Sequence, residues 1–333
     1  MSDMPVTAPP SQDMLPLIEQ QIAATGLDLD DMRVVTEAAT GAYATTAVIA
    51  AVAGAGDVFA LARDTAHHGS AADAARETLT LADRFGVADR IHIVEQLTPE
   101  ILAECDILTN SGHLRPITAP VIRQLPHRAV IALMFEAWEF RGTDLDLDAC
   151  RTLGIRVAAV NERHPDVGVF PFLGPLCVRL LEDSGIAAAG THVAVLCDNP
   201  FAPFIGAGLA EAGAWGTIAS TAADIVEADW GAVVVALTPG DEDRLGAADF
   251  EHLAKVAPRA LIAQFWGDLD RVAARHAGFF LWPPAPPRRG HMGILLNALG
   301  PEPIIRLQTG GLRAAELAAR GADSSPDGVL QLL

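Results

Sequence analysis

The chain has a single lysine, Lys255, and a single tyrosine, Tyr43, in 333 residues. With no G-x-x-x-x-G-K-[ST] pattern around that lysine, a phosphate loop of the Walker type is excluded. Lys255 is also the one residue open to a Schiff base, and its setting, HLAKVAP, reads instead as a solvated helix face. Cysteine is scarce: Cys105, Cys150, Cys177 and Cys197 are widely spaced, lie in apolar surroundings and form no C-x-x-C pair. They read as buried free thiols of a reducing, cytoplasmic compartment. No apolar run reaches about 18 residues without a charge or a breaker, so no membrane span is expected. Residues 1–13 lack the apolar core of a signal peptide and read as a disordered tail. Basic residues are outnumbered, giving a formal charge of −19. So acidic a surface repels phosphate backbones, and nucleic acid is not expected as a partner.

Half of the residues are apolar, enough for large cores, and strand and helix signals alternate almost end to end. This predicts an α/β fold of two domains: a flavodoxin-like parallel sheet, then a compact Rossmann-like domain. The first is placed at 14–163, with strands near 33–36, 57–62, 90–95, 106–109, 129–135 and 155–160. A connector helix is placed at 164–186, with Pro175 bending it. The nucleotide-binding domain is placed at 187–284, with strands near 193–196, 217–219, 232–237, 260–264 and 279–282. Residues 285–333 are read as helices returning to the first domain, broken at Gly300-Pro301 and Gly310-Gly311. The second domain opens on THVAVLCDNPFAPFIGAGLAEAG (191–213), a strand, a turn and a helix. The turn carries Asp-Asn-Pro-Phe where G-x-G-x-x-G would place its first glycines.

One long segment carries a family likeness. CDILTNSG, LPHRAVIALMF, GTDLDLDACRTLGIRVAAVNE and later ADWGAVVVALTP resemble the D-isomer-specific 2-hydroxyacid dehydrogenases, of the formate/glycerate dehydrogenase-like type. Gly142, Asp144, Asp146, Ala149, Gly154, Ile155, Val157 and Asn161 fit the pattern. The resemblance covers about half the chain, 105–267. It implies NAD or NADP as cofactor, and His291 in RRGHMG as counterpart of the catalytic histidine. The catalytic arginine has no counterpart after Phe265-Trp266-Gly267. The family's glycines reduce to Gly206 and Gly208, inside the predicted helix.

In an open parallel sheet, ligands lie beyond the carboxyl ends of the strands. Those ends collect a dense polar edge. His113 is a candidate acid/base with Arg115 as anion clamp. Glu136, if buried beside Trp138, would be an acid with a raised pKa, whereas Glu139 would pair with Arg141. Thr40, Tyr43 and Asn161 are candidate substrate contacts; Asp198, Asn199, Gly206 and Thr238 are candidate cofactor contacts. Gly290 and Gly293 would let the backbone near His291 approach a ligand. Asp64 follows Gly41 at about the spacing of a ribose-binding acid. His67-His68 reads as a surface loop, and no metal site is expected.

These readings predict an NAD(P)-dependent oxidoreductase-like enzyme holding a small polar or anionic substrate in a cleft between the domains. One alternative is an S-adenosylmethionine-dependent transferase on the same scaffold; another is a ligand-binding protein without turnover. A homodimer is the expected assembly.

Overall fold

A computed structural model describes residues 13–65, 69–325 and 328–333; the His67-His68 reading and that of most of the N-terminal tail lie outside them. The chain divides into two compact units. One runs to Val169 and resumes over Gly300–Leu333; the other is Phe170–Leu299.

The first unit opens with α1 (Met14–Thr25), started by the Asp13 carboxylate on the Leu15 N–H and stopped by Gly26 in the left-handed region. Then follow β1 (Arg33–Glu37), α2 (Thr45–Val52), β2 (Asp57–Leu61), α3 (Ala71–Phe85), β3 (Ile91–Val94), α4 (Pro99–Ala103), β4 (Ile107–Thr109), α5 (Ala119–Ile122), β5 (Val130–Ala132), α6 (Leu147–Leu153) and β6 (Arg156–Val160). The six strands are parallel and lie in the order β3-β2-β1-β4-β5-β6. That is the order of the two-half dinucleotide-binding sheets, with its switch point between β1 and β4. Runs such as Val130–Ala132 are buried on both faces, as a sheet covered by helices requires.

The second unit contains α7 (Leu173–Asp183), β7 (His192–Leu196), α8 (Ala202–Glu211), β8 (Trp215–Ala219), β9 (Ala232–Ala236), α9 (Ala247–Val256), β10 (Leu261–Trp266), α10 (Arg271–His276) and β11 (Leu281–Trp282). Its five strands are also parallel, in the order β8-β7-β9-β10-β11. This is the 2-1-3-4-5 arrangement, with its switch point between β7 and β9. Pro175 falls in the first turn of α7, where no intrahelical bond is lost.

The chain then returns to the first unit as α11 (Glu302–Ala319) and β12 (Leu330–Leu332), which adds antiparallel to β6. The expected break at Gly310-Gly311 does not occur; α11 runs straight through it. A Cβ on Gly310 would stand 2.8 Å from Val167 Cγ1, and one on Gly311 would stand 2.7 Å from Met134 Sδ. The two glycines let the helix lie close against its own unit rather than interrupting it. The four cysteines are buried and free, and Lys255 is exposed in the last turn of α9. Among the described residues no helix is long and apolar enough to cross a membrane.

Candidate functional site

The carboxyl ends of β1, β4, β5 and β6 form one edge of the first sheet, and the loops leaving them carry the buried polar residues Asn110, Ser111, Glu136, Asp144 and Glu162. At the switch point, Glu37 ends β1 and is 2 % exposed. The loop after β4 folds over it: the backbone N–H of His113 donates to Glu37 Oε2 (3.1 Å), and the Nδ1 atom lies 3.2 Å from the same oxygen. That second contact has ion-pair length without hydrogen-bond direction. The other ring nitrogen, Nε2, lies 2.6 Å from the Leu61 carbonyl oxygen. Two acceptors thus face one imidazole, whose neutral form has one N–H. Neither nitrogen is turned toward a ligand. A Cβ on Gly112 would stand 1.7 Å from Glu37 Oε2, so the loop's approach depends on that glycine.

Thr40 leads into the 3-10 turn Gly41–Ala44, which carries Tyr43. Burial pushes the Tyr43 phenol up to about 12, the Glu37 carboxylate adds to the shift, and Arg115 opposes it. Tyr43, Glu37, His113 and Arg115 therefore form one group. Asn110, at the start of the β4 loop, is fully buried, and neither end of its amide meets a hydrogen-bond partner. An amide in that position recruits an internal water or a ligand group.

Arg115 turns the other way. Its Nε and Nη2 donate to the Asn110 carbonyl oxygen (2.9 and 2.6 Å), and its guanidinium lies 5.5 Å from the centre of the Phe135 ring. Arg141 lies 5.3 Å from the same ring and donates twice to Asp144 Oδ2 (2.9 and 2.7 Å). Asp144 is 3.7 Å from Arg115 as well. One carboxylate thus serves two half-buried guanidiniums held by one aromatic ring.

Beyond β5, Glu136 is fully buried, the condition set for it from the sequence. Arg163 grips Glu136 with two bonds (3.1 and 3.2 Å), and the Trp138 indole N–H (2.6 Å) and the Glu162 N–H (3.1 Å) also donate to it. Glu139 and Glu162 then lie beside that carboxylate. Burial, with Glu136 adding and Arg141 opposing, raises Glu139 to about 8. Burial, then Glu139 and Glu136, raises Glu162 well above the ordinary range. Glu139 is half-buried and carries its proton at neutral pH. Asn161 points elsewhere: its amide donates to the Gly328 carbonyl oxygen and accepts from the Arg163 N–H, tying down the approach to β12.

In the second unit, Asp198, Asn199 and Thr238 come together at the β7–β9 switch point. Thr238 donates to Asp198 Oδ1 through its backbone N–H (2.8 Å) and its hydroxyl (3.0 Å), while Arg244 donates to Oδ2 (2.8 Å). These bonds and the Arg244 charge outweigh partial burial and hold Asp198 below the usual carboxylate range. Asn199 Nδ2 donates to the Ala236 carbonyl oxygen (2.7 Å), its Oδ1 accepts from the Phe201 N–H (3.0 Å), and its carbonyl accepts from the Ala202 N–H (3.3 Å). Residue 203 is proline, and the Phe204 N–H is bonded to Phe201.

A dinucleotide pyrophosphate needs free amides at a helix N-terminus and no anion beside them. The β7–α8 turn, as formed, does not fit that requirement. Gly206 lies in α8, and a Cβ there would meet only Ile218 Cδ1 at 3.8 Å. His291 follows Gly290, which is held to the end of β10 by the Trp266 indole (3.1 Å) and the Asp268 carboxylate (3.0 Å). A Cβ on Gly293 would stand 1.9 Å from the Gln264 carbonyl oxygen, so the close approach that glycine allows is to β10. In the first unit, Asp64 Oδ1 accepts from the Ala71 N–H at the head of α3, and the Gly41 N–H donates to Glu77.

The strand-end rule found this edge. The raised pKa of Glu139 could not be read that way, because it needs Glu136 and Arg141 placed in three dimensions.

No protein-family model and no curated protein matches the sequence. Solved structures do match. A dipicolinate synthase chain from Bacillus halodurans superposes with a TM-score of 0.57 at 11% identity, covering 87% of this chain and 99% of that one. The corresponding chain from Bacillus subtilis gives 0.49 at 14% identity, covering 89% and 97%. A dehydrogenase from Rhizobium meliloti gives 0.41 at 13%, covering 72% and 93%. At such identities the Bacillus halodurans likeness shows the fold: a two-domain, Rossmann-like α/β architecture of the kind read from the sequence.

Proposed function

We propose that the protein is an oxidoreductase-like enzyme that takes a small anionic substrate at the carboxyl edge of its first sheet. Arg115 and Arg141 seat the anion, and Glu139 gives or takes the proton. The observation that carries this reading is Glu139 itself, a half-buried carboxyl lifted to about 8 beside Arg141. A carboxyl lifted to about 8 beside a guanidinium is placed to give a proton to an anion bound there. The Glu37–His113 pair acts as a positioning element that fixes the β4 loop, and Asn110 offers its unpartnered amide from that same loop.

The oxidoreductase class rests on the two-domain fold and on the dehydrogenase-like GTDLDLDACRTLGIRVAAVNE segment. NAD or NADP would supply or accept the hydride when bound. Because the β7–α8 turn does not fit its pyrophosphate as formed, the residue roles above stop at proton and anion handling. S-adenosylmethionine is disfavoured near Gly41, where Asp64 and the glycine N–H are already engaged.

The test is calorimetry with oxalate, malate and inorganic phosphate, together with NADH and NADPH fluorescence titration. Millimolar or tighter binding of a carboxylate, lost on Arg115→Ala and Arg141→Ala, is expected. No binding of any of these anions would remove the reading. The filled β7–α8 turn favours one second reading, a ligand-binding protein without turnover. Carboxylate binding with silence toward both nucleotides would select it.

A further inference from the structure

We propose that β8 is a self-pairing edge through which two copies of this chain join by antiparallel strand addition. The strand WGTIA is an outer strand of the second sheet, bonded on one side to β7. Sheet edges carry unpaired backbone groups, and proteins blunt them with charges, prolines or short length. Two of the other three sheet edges are managed in these ways: the two-residue β11 runs into Pro283 and Pro284, and β12 has three residues with Gln331 at its centre. The third, β3, is four residues long, and its His92 contacts Asp57 of β2 (2.8 Å). Along β8 there is no charge and no proline, and four of its five residues are exposed. Trp215 is 61% and Ile218 is 42% exposed, with Val226 nearby in sequence at 70%. On the adjoining helix α8, the exposed positions Pro203, Ala207 and Ala210 are uncharged, and Glu211 at its end is the first charge.

The register explains why the occupant is a second copy. The Trp215 N–H donates to the Thr191 carbonyl oxygen, and the Ala219 carbonyl accepts from the Cys197 N–H, so residues 215, 217 and 219 direct their backbone groups toward β7. In a parallel strand the alternate residues point the other way, so Gly216 and Ile218 present theirs to the open edge. A two-fold axis at Thr217 sets Gly216 opposite Ile218 of a second copy, and Ile218 opposite its Gly216. Each pair exchanges two N–H···O bonds, as an isologous interface requires. Thr217 then faces itself, and Trp215 faces Ala219. For a chain of charge −19, this uncharged strip is where a second copy approaches with least repulsion.

The experiment measures the mass of the purified full chain by sedimentation across a dilution series, for the wild type and for Thr217→Lys, Thr217→Asp and their equimolar mixture. Thr217 is exposed and its N–H faces β7, so an unchanged far-UV dichroism is expected in each variant. The wild type is expected to be dimeric. Each variant alone should dissociate at least tenfold more readily, because like charges meet at the axis. The mixture should recover a heterodimer. A monomeric wild type would overturn the proposal, as would a dimer indifferent to either variant, or a mixture that stays monomeric.

Discussion

Gly206 and Gly208 stand two residues apart on α8, and alanine at each is expected to act with opposite sign. At Gly206 the added methyl meets only Ile218 Cδ1 at 3.8 Å, an ordinary contact. Removing a helix-interior glycine there should stabilise the second unit by about 0.5–1 kcal/mol. At Gly208 the same methyl would stand 2.3 Å from Gly174 Cα and 2.5 Å from its carbonyl carbon. Carbon atoms pack at about 3.5–4.0 Å, so α7 and α8 would have to separate by about 1–1.5 Å. Both offending atoms are backbone, and no rotamer relieves them. Overpacking of this kind costs about 1–3 kcal/mol, and the upper end applies where two helices must move. After the propensity gain, Gly208→Ala should lose about 2–2.5 kcal/mol, leaving the two variants about 2.5–3.5 kcal/mol apart. Urea unfolding followed by tryptophan fluorescence reads this directly, because Trp215, Trp230, Trp266 and Trp282 all lie in the second unit. At about 3 °C per kcal/mol, melting should resolve the pair too. Equal shifts of the same sign, or an unperturbed Gly208→Ala, would refute the packing argument. Should Gly206→Ala abolish nucleotide binding in a protein that otherwise binds NADH, the role assigned to the turn would also be wrong.

Arg163→Ala should cost about 2 kcal/mol, less than a fully buried pair because the arginine side chain is 45% exposed while Glu136 is 0% exposed. Adding Glu136→Gln should recover more than half of the loss in a double-mutant cycle measured by urea unfolding. Glu139 has a folded pKa of about 8, above its unfolded value, so the folded state holds the extra proton between them. Stability should therefore fall as pH rises from about 4.5 toward 8. Glu139→Gln should flatten that slope and stabilise the protein at pH 9 by about 1 kcal/mol, a figure reduced for the water that reaches the group; a melting curve against pH checks it. Carboxylate affinity carried by Arg115 and Arg141 should likewise drop above pH 8 in the wild type and not in Glu139→Gln, as calorimetry would show.

Much of the scaffold was legible because burial on both faces forces continuous apolar strands. AVVVA and RVAAV are short apolar runs bounded by turn signals, and each lies within a residue or two of its expected place. Strand order was not legible, since a β-α-β alternation is silent about which neighbour each strand finds. The Gly310-Gly311 pair misled for a definable reason: local propensity says breaker, and only packing against Val167 and Met134 makes glycine the fitting choice. The site was half legible. Strand ends pointed to His113, Arg115, Tyr43 and Glu136, but not to which carboxyl would keep its proton. That depends on where Glu136 and Arg141 stand around the half-buried Glu139 carboxyl.

The return of α11 and β12 to the first unit has a consequence for synthesis. A ribosome delivers β1 through β6 early, yet the helix that lies on β5 and β6 and the strand that extends the sheet past β6 emerge after the whole second unit. The unit begun first is therefore finished last, and until then it waits with an apolar face uncovered. A nascent chain stalled near residue 299 should be a chaperone client, although its second unit is already complete.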